Sequence, residues 1–134
     1  MRKSRLSHLP ASELPNELTF QIGGFTGPSY SLRLAEGALE YIASDYGFEP
    51  VQSQTIQPSQ DAWNRFRSQL DEIGVGGWGH EYSSEHQILD GTQWSLQIVY
   101  GDIKVKCVGD NAYPDEFDEL LGAVERLIGG REFR

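Results

Sequence analysis

The side chains best suited to chemistry gather in one short stretch, residues 78–90. It holds two histidines, three carboxylates and two aromatic rings: Trp78, His80, Glu81, Tyr82, Glu85, His86 and Asp90. Imidazole and carboxylate groups are the ligands that zinc and iron sites use. The spacing fits no metal motif, because five residues separate the histidines and neither HExxH nor CxxC occurs. We predict no metal and no cofactor, and expect any small-molecule pocket to form in this stretch.

A glycine-rich segment just before this stretch has the spacing of a dinucleotide-binding loop. Gly74, Gly76 and Gly79 satisfy GxGxxG, a motif that holds a pyrophosphate when it follows a strand and opens a helix. Here the order is reversed, since the segment follows a predicted helix and precedes a predicted strand. We therefore predict a helix-to-strand connection and no nucleotide site.

The sequence offers no assembled nucleophile. No GxSxG elbow occurs, and the single cysteine, Cys107, falls on the predicted buried face of a hairpin, where a thiol behaves as a small apolar side chain. The 20 acidic residues allow many accidental carboxylate pairs, so spacing singles out none for acid–base work. We predict no catalytic residue and favour a protein that is not an enzyme.

Positive charge is concentrated at the ends of the chain, which leaves the body acidic. The chain carries 11 Lys or Arg against 20 Asp or Glu, a net charge of −9. Five of the basic residues lie at the ends: Arg2, Lys3, Arg5, Arg131 and Arg134. Between residues 6 and 130, six basic residues stand against nineteen acidic ones, a net charge of −13. Such a field repels phosphate backbones and attracts basic proteins. We predict a basic protein partner and no nucleic-acid binding by the body.

Cysteine use and hydropathy set the expected location. One cysteine permits no internal disulfide. The first fifteen residues contain no apolar stretch of signal-peptide length, and no window approaches the ~20 apolar residues of a membrane span. We expect a cytoplasmic protein that does not enter membranes; the sequence sets no oligomeric state.

Hydrophobic periodicity predicts the elements that must position these side chains. Apolar residues alternate near 18–22, 30–34 and 39–43, and more weakly over 51–56, which indicates strands. A short strand is expected within 78–83. We predict an α+β fold: a mostly antiparallel sheet of six to seven strands with two helices packed on one face. A flexible arm over residues 1–16 should precede a single domain over residues 17–130.

The strongest predicted hairpin joins residues 94–100 to 103–107. A two-residue Gly101-Asp102 loop suits a type II′ turn. That register places Leu96 opposite Cys107 and leaves Gly109 opposite Trp94, where the missing side chain makes room for the indole.

Two helices are predicted from capping signals and apolar spacing. Ser59 should cap the first helix and Gly74 should end it. Pro114 is expected at the first position of the second, which Gly129 and Gly130 should end.

The start of this last helix is crowded with carboxylates that suit the positive end of its dipole and also offer an interaction surface: Asp110, Asp115, Glu116, Asp118 and Glu119.

Residues 59–128 also carry a looser pattern. Trp63-x-x-Phe66 lies on a predicted helix, Asp90-Gly91-x-x-Trp94 precedes a strand, and the run from Gly109 through Asn111, Tyr113 and Pro114 to Phe117 precedes the final helix. This DGxxW…GxNxYPxxF pattern resembles that of small bacterial proteins to which no activity is assigned. The resemblance implies a compact α+β domain of bacterial or phage type, and no chemistry.

Our leading hypothesis is a non-catalytic, acidic protein-binding or regulatory domain, of the type that inhibitors, immunity proteins and anti-defence proteins represent. The alternative is a small-molecule binder or hydrolytic enzyme that uses the stretch from Trp78 to Asp90. The residues predicted to bind are Trp78, His80, Tyr82, Glu85, His86, Asp110, Tyr113, Asp115 and Glu116.

Overall fold

The computed structural model of the chain describes residues 14–23, 28–44, 50–83, 92–100 and 103–133. These residues form seven strands and two α-helices: β1 (Glu17–Gly23), β2 (Ser29–Ala35), β3 (Ala38–Ser44), β4 (Pro50–Ile56), α1 (Gln60–Ile73), β5 (Glu81–Ser83), β6 (Gln93–Tyr100), β7 (Ile103–Asp110) and α2 (Phe117–Leu127). A short 3₁₀ turn at Val75–Gly77 follows α1. The predicted α+β class is confirmed.

The seven described strands form one sheet in the order β4-β3-β2-β1-β6-β7-β5. Strands β1 to β4 are a meander, and β6 pairs with β1 on its other side. Every pairing is antiparallel except that of β5, which runs parallel to β7 at the edge. The parallel pairing arises because α1 and the glycine-rich segment carry the chain across the sheet before β5 begins.

The two faces of the sheet differ because side chains alternate along each strand. The core face packs against both helices and holds the buried apolar side chains of the strands: Leu18, Phe20, Ile22, Tyr30, Leu32, Leu39, Tyr41, Trp94, Leu96, Ile98, Tyr100, Val105 and Cys107. The opposite face, which we call the polar face, carries mostly Ser, Thr, Gln and charged side chains. The fold therefore has one apolar layer between the sheet and the helices.

The β6–β7 hairpin has the predicted register. Leu96 lies opposite Cys107 and Trp94 lies opposite Gly109. The predicted type II′ turn at residues 101–102 lies outside the described residues. In both strands of the hairpin, apolar side chains occupy every second position and lie on the core face. A shift of one residue in the pairing would move the apolar side chains of one strand to the polar face, so burial fixes this register.

Helix α1 begins and ends where its capping residues predict. The Ser59 hydroxyl accepts a hydrogen bond from the Ala62 N–H at 3.1 Å. Gly74 ends the helix in the left-handed conformation, at φ 84°, and its N–H donates to the Leu70 carbonyl at 3.0 Å. The GxGxxG segment thus connects α1 to β5, as predicted.

Helix α2 does not begin at Pro114, and that prediction was wrong. The helix begins at Phe117, after Glu116 adopts a left-handed φ of 66°. Pro114 instead opens a tight turn, in which its carbonyl accepts a hydrogen bond from the Phe117 N–H at 3.2 Å. The left-handed residue interrupts the helical path, so the proline cannot belong to the first turn of the helix.

The C-terminal segment is anchored in the core. Phe133 is fully buried and packs on Phe20 and Tyr30, at centroid distances of 4.9 and 5.8 Å. The Tyr41 hydroxyl donates to the Glu132 carbonyl at 2.8 Å, and the Tyr30 hydroxyl donates to the Glu132 carboxylate at 2.9 Å. The core therefore extends past the domain end predicted at residue 130. At the other end, the prediction of an arm falls mostly on residues outside those described, although the Asn16 N–H donates to the Val99 carbonyl at 2.6 Å.

We expect Phe133→Ala to destabilise the protein by about 3–5 kcal/mol, because it leaves a cavity between two aromatic rings. Urea unfolding measures the change. Val108→Ala is the control, since Val108 is 41% exposed and its truncation should change stability by no more than about 0.5 kcal/mol. Equal stability of the two variants would show that the C-terminal segment does not anchor the core.

Candidate functional site

Trp94 is the centre of an aromatic cluster at one end of the sheet. Its side chain is only 3% exposed and lies 4.7 Å from the Phe117 ring and 5.9 Å from the Tyr82 ring, between centroids. Trp78 and Tyr113 also contact Phe117, at 6.3 and 5.0 Å. The cluster joins β5, β6 and the start of α2, elements that are far apart in sequence. It therefore fixes the positions of β5, β6 and the start of α2 relative to one another.

Gly109 makes the position of Trp94 possible. A Cβ atom at residue 109 would overlap the Trp94 indole and would lie 2.7 Å from the Ala112 carbonyl oxygen. With no side chain there, the indole crosses β7 and its Nε1–H donates to that same carbonyl at 2.9 Å. The buried indole N–H is thus satisfied, and the chain after β7 is tied to β6.

The segment that follows β7, residues 111–116, is held in one conformation; we call it the β7–α2 loop. The Asn111 N–H donates to the Thr92 carbonyl at 2.8 Å. Asn111 and Glu116 both adopt left-handed backbone angles, at φ 57° and 66°, and Pro114 between them is buried. Two non-glycine residues persist in this region only when the surrounding structure holds them there. The loop is therefore preorganised.

The β7–α2 loop presents a tyrosine surrounded by carboxylates. Tyr113 is 44% exposed, one of two large apolar or aromatic side chains of the described residues that are this exposed. Four carboxylates beside it on the loop and the first turn of α2 are exposed: Asp115, Glu116, Asp118 and Glu119. We call these four residues and Tyr113 the acidic surface.

One ion pair of the described residues joins Arg33 to Glu40, on the polar face of the sheet. Arg126 is the basic residue of α2. A Cβ atom on Gly122 would lie 3.6 Å from the Arg126 guanidinium, which places this cation about one helical turn beyond Asp118. Beside Tyr113 the surface is concave, with a hollow of about 380 Å³ that Thr92, Glu116 and Phe117 help to line.

On the other side of Trp94, the polar face carries a larger hollow of about 740 Å³, which we call the polar hollow. The strand registers align its side chains in two rows. The first row is Ile42, Ser31, Gln21, Ser95, Val108 and Glu81. The second row is Ser44, Ser29, Gly23, Gln93, Asp110 and Ser83. Position 23 requires glycine, because a Cβ atom there would overlap Ser29.

Five of the nine predicted site residues lie on these two surfaces. Tyr82 and Asp110 line the polar hollow, together with Glu81 and Ser83 from β5. Tyr113, Asp115 and Glu116 belong to the acidic surface.

Of the remaining predicted residues, Trp78 and His80 belong to neither surface. Trp78 is half-buried against Phe117 and supports the loop. His80 is exposed, and its Nδ1 lies 3.1 Å from the Lys106 carbonyl oxygen. Glu85 and His86 lie outside the described residues.

Sequence reasoning missed the hydroxyl and amide side chains of the polar hollow. They are the polar positions that alternate with the core residues of each strand, so periodicity marks them as facing away from the core. Nothing in that pattern shows that Ser44, Gln21 and Glu81 share one concavity, since this depends on strand order. The parallel pairing of β5 at the far edge is what adds Glu81.

Neither surface contains an assembled reactive group within the described part of the chain. Groups of three or more His, Cys, Asp or Glu side chains able to hold a metal do not occur among those residues. Cys107 is buried on the core face, where burial raises the pKa of its thiol to about 11. The acidic surface offers carboxylates, and the polar hollow offers hydroxyl and amide groups together with the carboxylates of Glu81 and Asp110.

The chain matches no protein-family model and no curated protein. In the described residues, no helix is long and apolar enough to cross a membrane.

We expect Gly109→Ala to destabilise the protein by about 1–3 kcal/mol, because the added methyl group must displace the Trp94 indole. Urea unfolding measures stability, and near-ultraviolet circular dichroism reports the tryptophan environment. Gly79→Ala is the matched control, because a Cβ atom there comes no closer than 3.6 Å to any other group. If both variants kept the wild-type spectrum and stability, the indole would not depend on Gly109.

We expect the Cys107 thiol of the folded protein to react with Ellman's reagent at pH 8 only after urea unfolds the chain, because the buried thiol stays protonated. The pKa of the Cys107 thiol is 9.0 in the unfolded chain and about 11 in the folded protein, so the unfolded chain loses this proton at lower pH. The stability that the buried thiol contributes is therefore lost over that interval. Val108→Cys in a Cys107→Ser background is the control and should react in the folded state. Fast reaction of native Cys107 would contradict its burial.

Proposed function

We propose that the protein is a non-catalytic binding domain whose acidic surface engages a basic protein partner. The observation that carries the proposal is that four exposed carboxylates accompany an exposed tyrosine on a preorganised loop and the first turn of α2. A cationic partner would supply counter-charges to them. Association would then replace water around these carboxylates with charge-assisted hydrogen bonds.

Electrostatics support a basic partner at long and short range. The net charge of −9 attracts cationic proteins before contact and raises their association rate. The acidic surface adds a local concentration of charge at the positive end of the α2 dipole. That dipole offsets part of the mutual repulsion of the carboxylates, so the fold tolerates their density. The exposed carboxylates therefore remain available to a partner.

The rigidity of the β7–α2 loop supports a role for Tyr113 as an anchor. Tyrosine is enriched among the side chains that dominate binding energy, and its ring face attracts guanidinium groups. Contact with Phe117 at 5.0 Å already fixes the ring of Tyr113. Little conformational entropy would be lost when a partner covers it.

The biological type that we propose is a small bacterial or phage regulator that acts in the cytoplasm: an inhibitor, an immunity protein or an anti-defence protein. Such proteins act by occupying a surface of their partner, and they need no catalytic group. The pattern residues Trp94, Gly109, Asn111, Tyr113 and Pro114 all build or present the β7–α2 loop. The proposal thus gives the residues of this pattern one purpose, the presentation of an acidic surface.

We expect removal of three of the four carboxylates of the acidic surface to abolish capture of a basic protein. The variant Asp115→Asn/Glu116→Gln/Glu119→Gln removes three charges with little change of shape. Each bait is incubated at low salt with an extract of the native host, and captured proteins are identified by mass spectrometry. The partner is then purified, and its Kd is measured at several salt concentrations. We expect wild type to bind a basic protein with an affinity that falls as salt rises.

The matched control is Glu36→Gln/Asp61→Asn/Glu72→Gln, which removes the same charge from other exposed positions. It should keep the partner that the first variant loses. If wild type captures no basic protein at low salt, the proposal fails. If both triple variants lose the partner equally, net charge alone is responsible and the acidic surface is not the site.

A further inference from the structure

We propose that the outer edge of β4 is an interface at which two copies of this chain pair antiparallel, so that their sheets join into one. Strand β4 is an end strand of the sheet, and among the described strands it pairs with β3 alone. Its outer side therefore presents backbone N–H and C=O groups to which a further strand can bond. The inference goes beyond the proposed function, because β3, β2, β1 and β6 lie between β4 and β7, the strand that the acidic surface follows.

The two end strands of the sheet differ in how well they resist such pairing. Strand β5 has three residues and carries Glu81, and short or charged edges discourage strand addition. Strand β4 has seven residues, and its pairing with β3 is regular except beside Ala43 and Ser44. Pro50 stands at its first position, where it removes no N–H from the centre of the strand. Pairing through β4 leaves only β5 edges at the ends of the joined sheet, so the assembly closes as a dimer.

Charge indicates a second copy as the occupant of this edge. Two chains of net charge −9 repel each other, so contact between them requires a surface with little negative charge. Residues 50–60 contain no Asp, Glu, Lys or Arg. On the polar face, the carboxylate opposite Thr55 is Glu40, and Arg33 pairs with it. The β4 edge therefore lets two acidic chains meet without placing like charges opposite each other.

The sequence of β4 is also complementary to itself in the antiparallel direction. Two seven-residue strands overlap completely when a two-fold axis places Ser53 opposite Ser53 of the other copy. The same axis places Gln52 opposite Gln54 of the other copy, on the face that carries Tyr41. Arg131 donates to the Gln54 Oε1 atom, so the NH₂ group of that amide is the donor for Gln52 of the second copy. Hydroxyl thus meets hydroxyl, and amide meets amide.

The test measures self-association by sedimentation velocity over a series of protein concentrations from micromolar to millimolar. We expect wild type to pass from monomer to dimer as concentration rises, without larger species. The dimer should become more stable as salt rises, because screening weakens the repulsion between two acidic chains. Binding of a basic partner by the acidic surface has the opposite salt dependence, so the two associations are distinguishable.

Substitution of Ser53, which is exposed, tests the register. Ser53→Glu places two carboxylates opposite each other at the two-fold axis and should raise the Kd of the dimer about fivefold or more. Ser53→Lys should do the same with two ammonium groups. An equimolar mixture of the two variants should associate at least as tightly as wild type, because opposite charges then face each other. Misfolding of either variant would not produce this rescue.

The matched control is Ser68→Glu, which adds the same charge at an exposed position of α1 and should dimerise nearly as wild type does. Three outcomes would overturn the inference. In the first, wild type stays monomeric at every concentration. In the second, Ser53→Glu and Ser68→Glu weaken the dimer equally, so that net charge decides. In the third, the Glu and Lys variants associate no better together than alone, so that residue 53 does not lie at the axis.

Two further measurements separate this edge from the acidic surface. The Asp115→Asn/Glu116→Gln/Glu119→Gln variant should dimerise at least as tightly as wild type, and Ser53→Glu should still capture the basic partner. If wild type is monomeric and Ser53→Glu loses a captured host protein, the edge receives a strand of that protein and a second copy is excluded.

Discussion

The packing of the Trp94 indole across Gly109 is the interaction on which this end of the molecule depends. The indole occupies the space that a side chain at residue 109 would fill, and its N–H is satisfied by the Ala112 carbonyl. This one hydrogen bond ties the chain after β7 to β6 and sets the path into α2. Phe117 then packs on the indole and begins the helix. Loss of the indole contact would release β5, the β7–α2 loop and the start of α2 together.

Both candidate surfaces follow from that packing. On one side, the fixed loop raises Tyr113 and the surrounding carboxylates into solvent. On the other, the strands that the indole crosses carry two rows of polar side chains with Glu81 and Asp110 at one wall. The two surfaces differ in composition, since one is an exposed tyrosine with carboxylates beside a small hollow and the other is a larger hollow lined mostly by hydroxyl and amide side chains. Both adjoin the aromatic cluster around Trp94.

Predictions from sequence succeeded where short-range patterns alone decide the structure. The Ser59 cap, the Gly74 stop and the β6–β7 register all follow from rules that act within a few residues. The start of α2 was missed because the left-handed angle at Glu116 is imposed by the turn and the packed aromatic cluster. The stretch 78–90, where a pocket was expected, meets the polar hollow at Glu81, Tyr82 and Ser83, but the sequence gave no indication of Ser44, which lies in the meander.

By itself, the sequence determined the α+β class, the caps of α1, the pairing of the central hairpin and the excess of negative charge. Each follows from local alternation, capping chemistry or a count of ionised groups, none of which requires knowledge of distant contacts. Only the tertiary structure decided which polar positions share a surface. Strand order brings Ser44 of β3 and Glu81 of β5 to opposite walls of one hollow, because side-chain alternation fixes the face that a residue occupies and not its neighbours across the sheet.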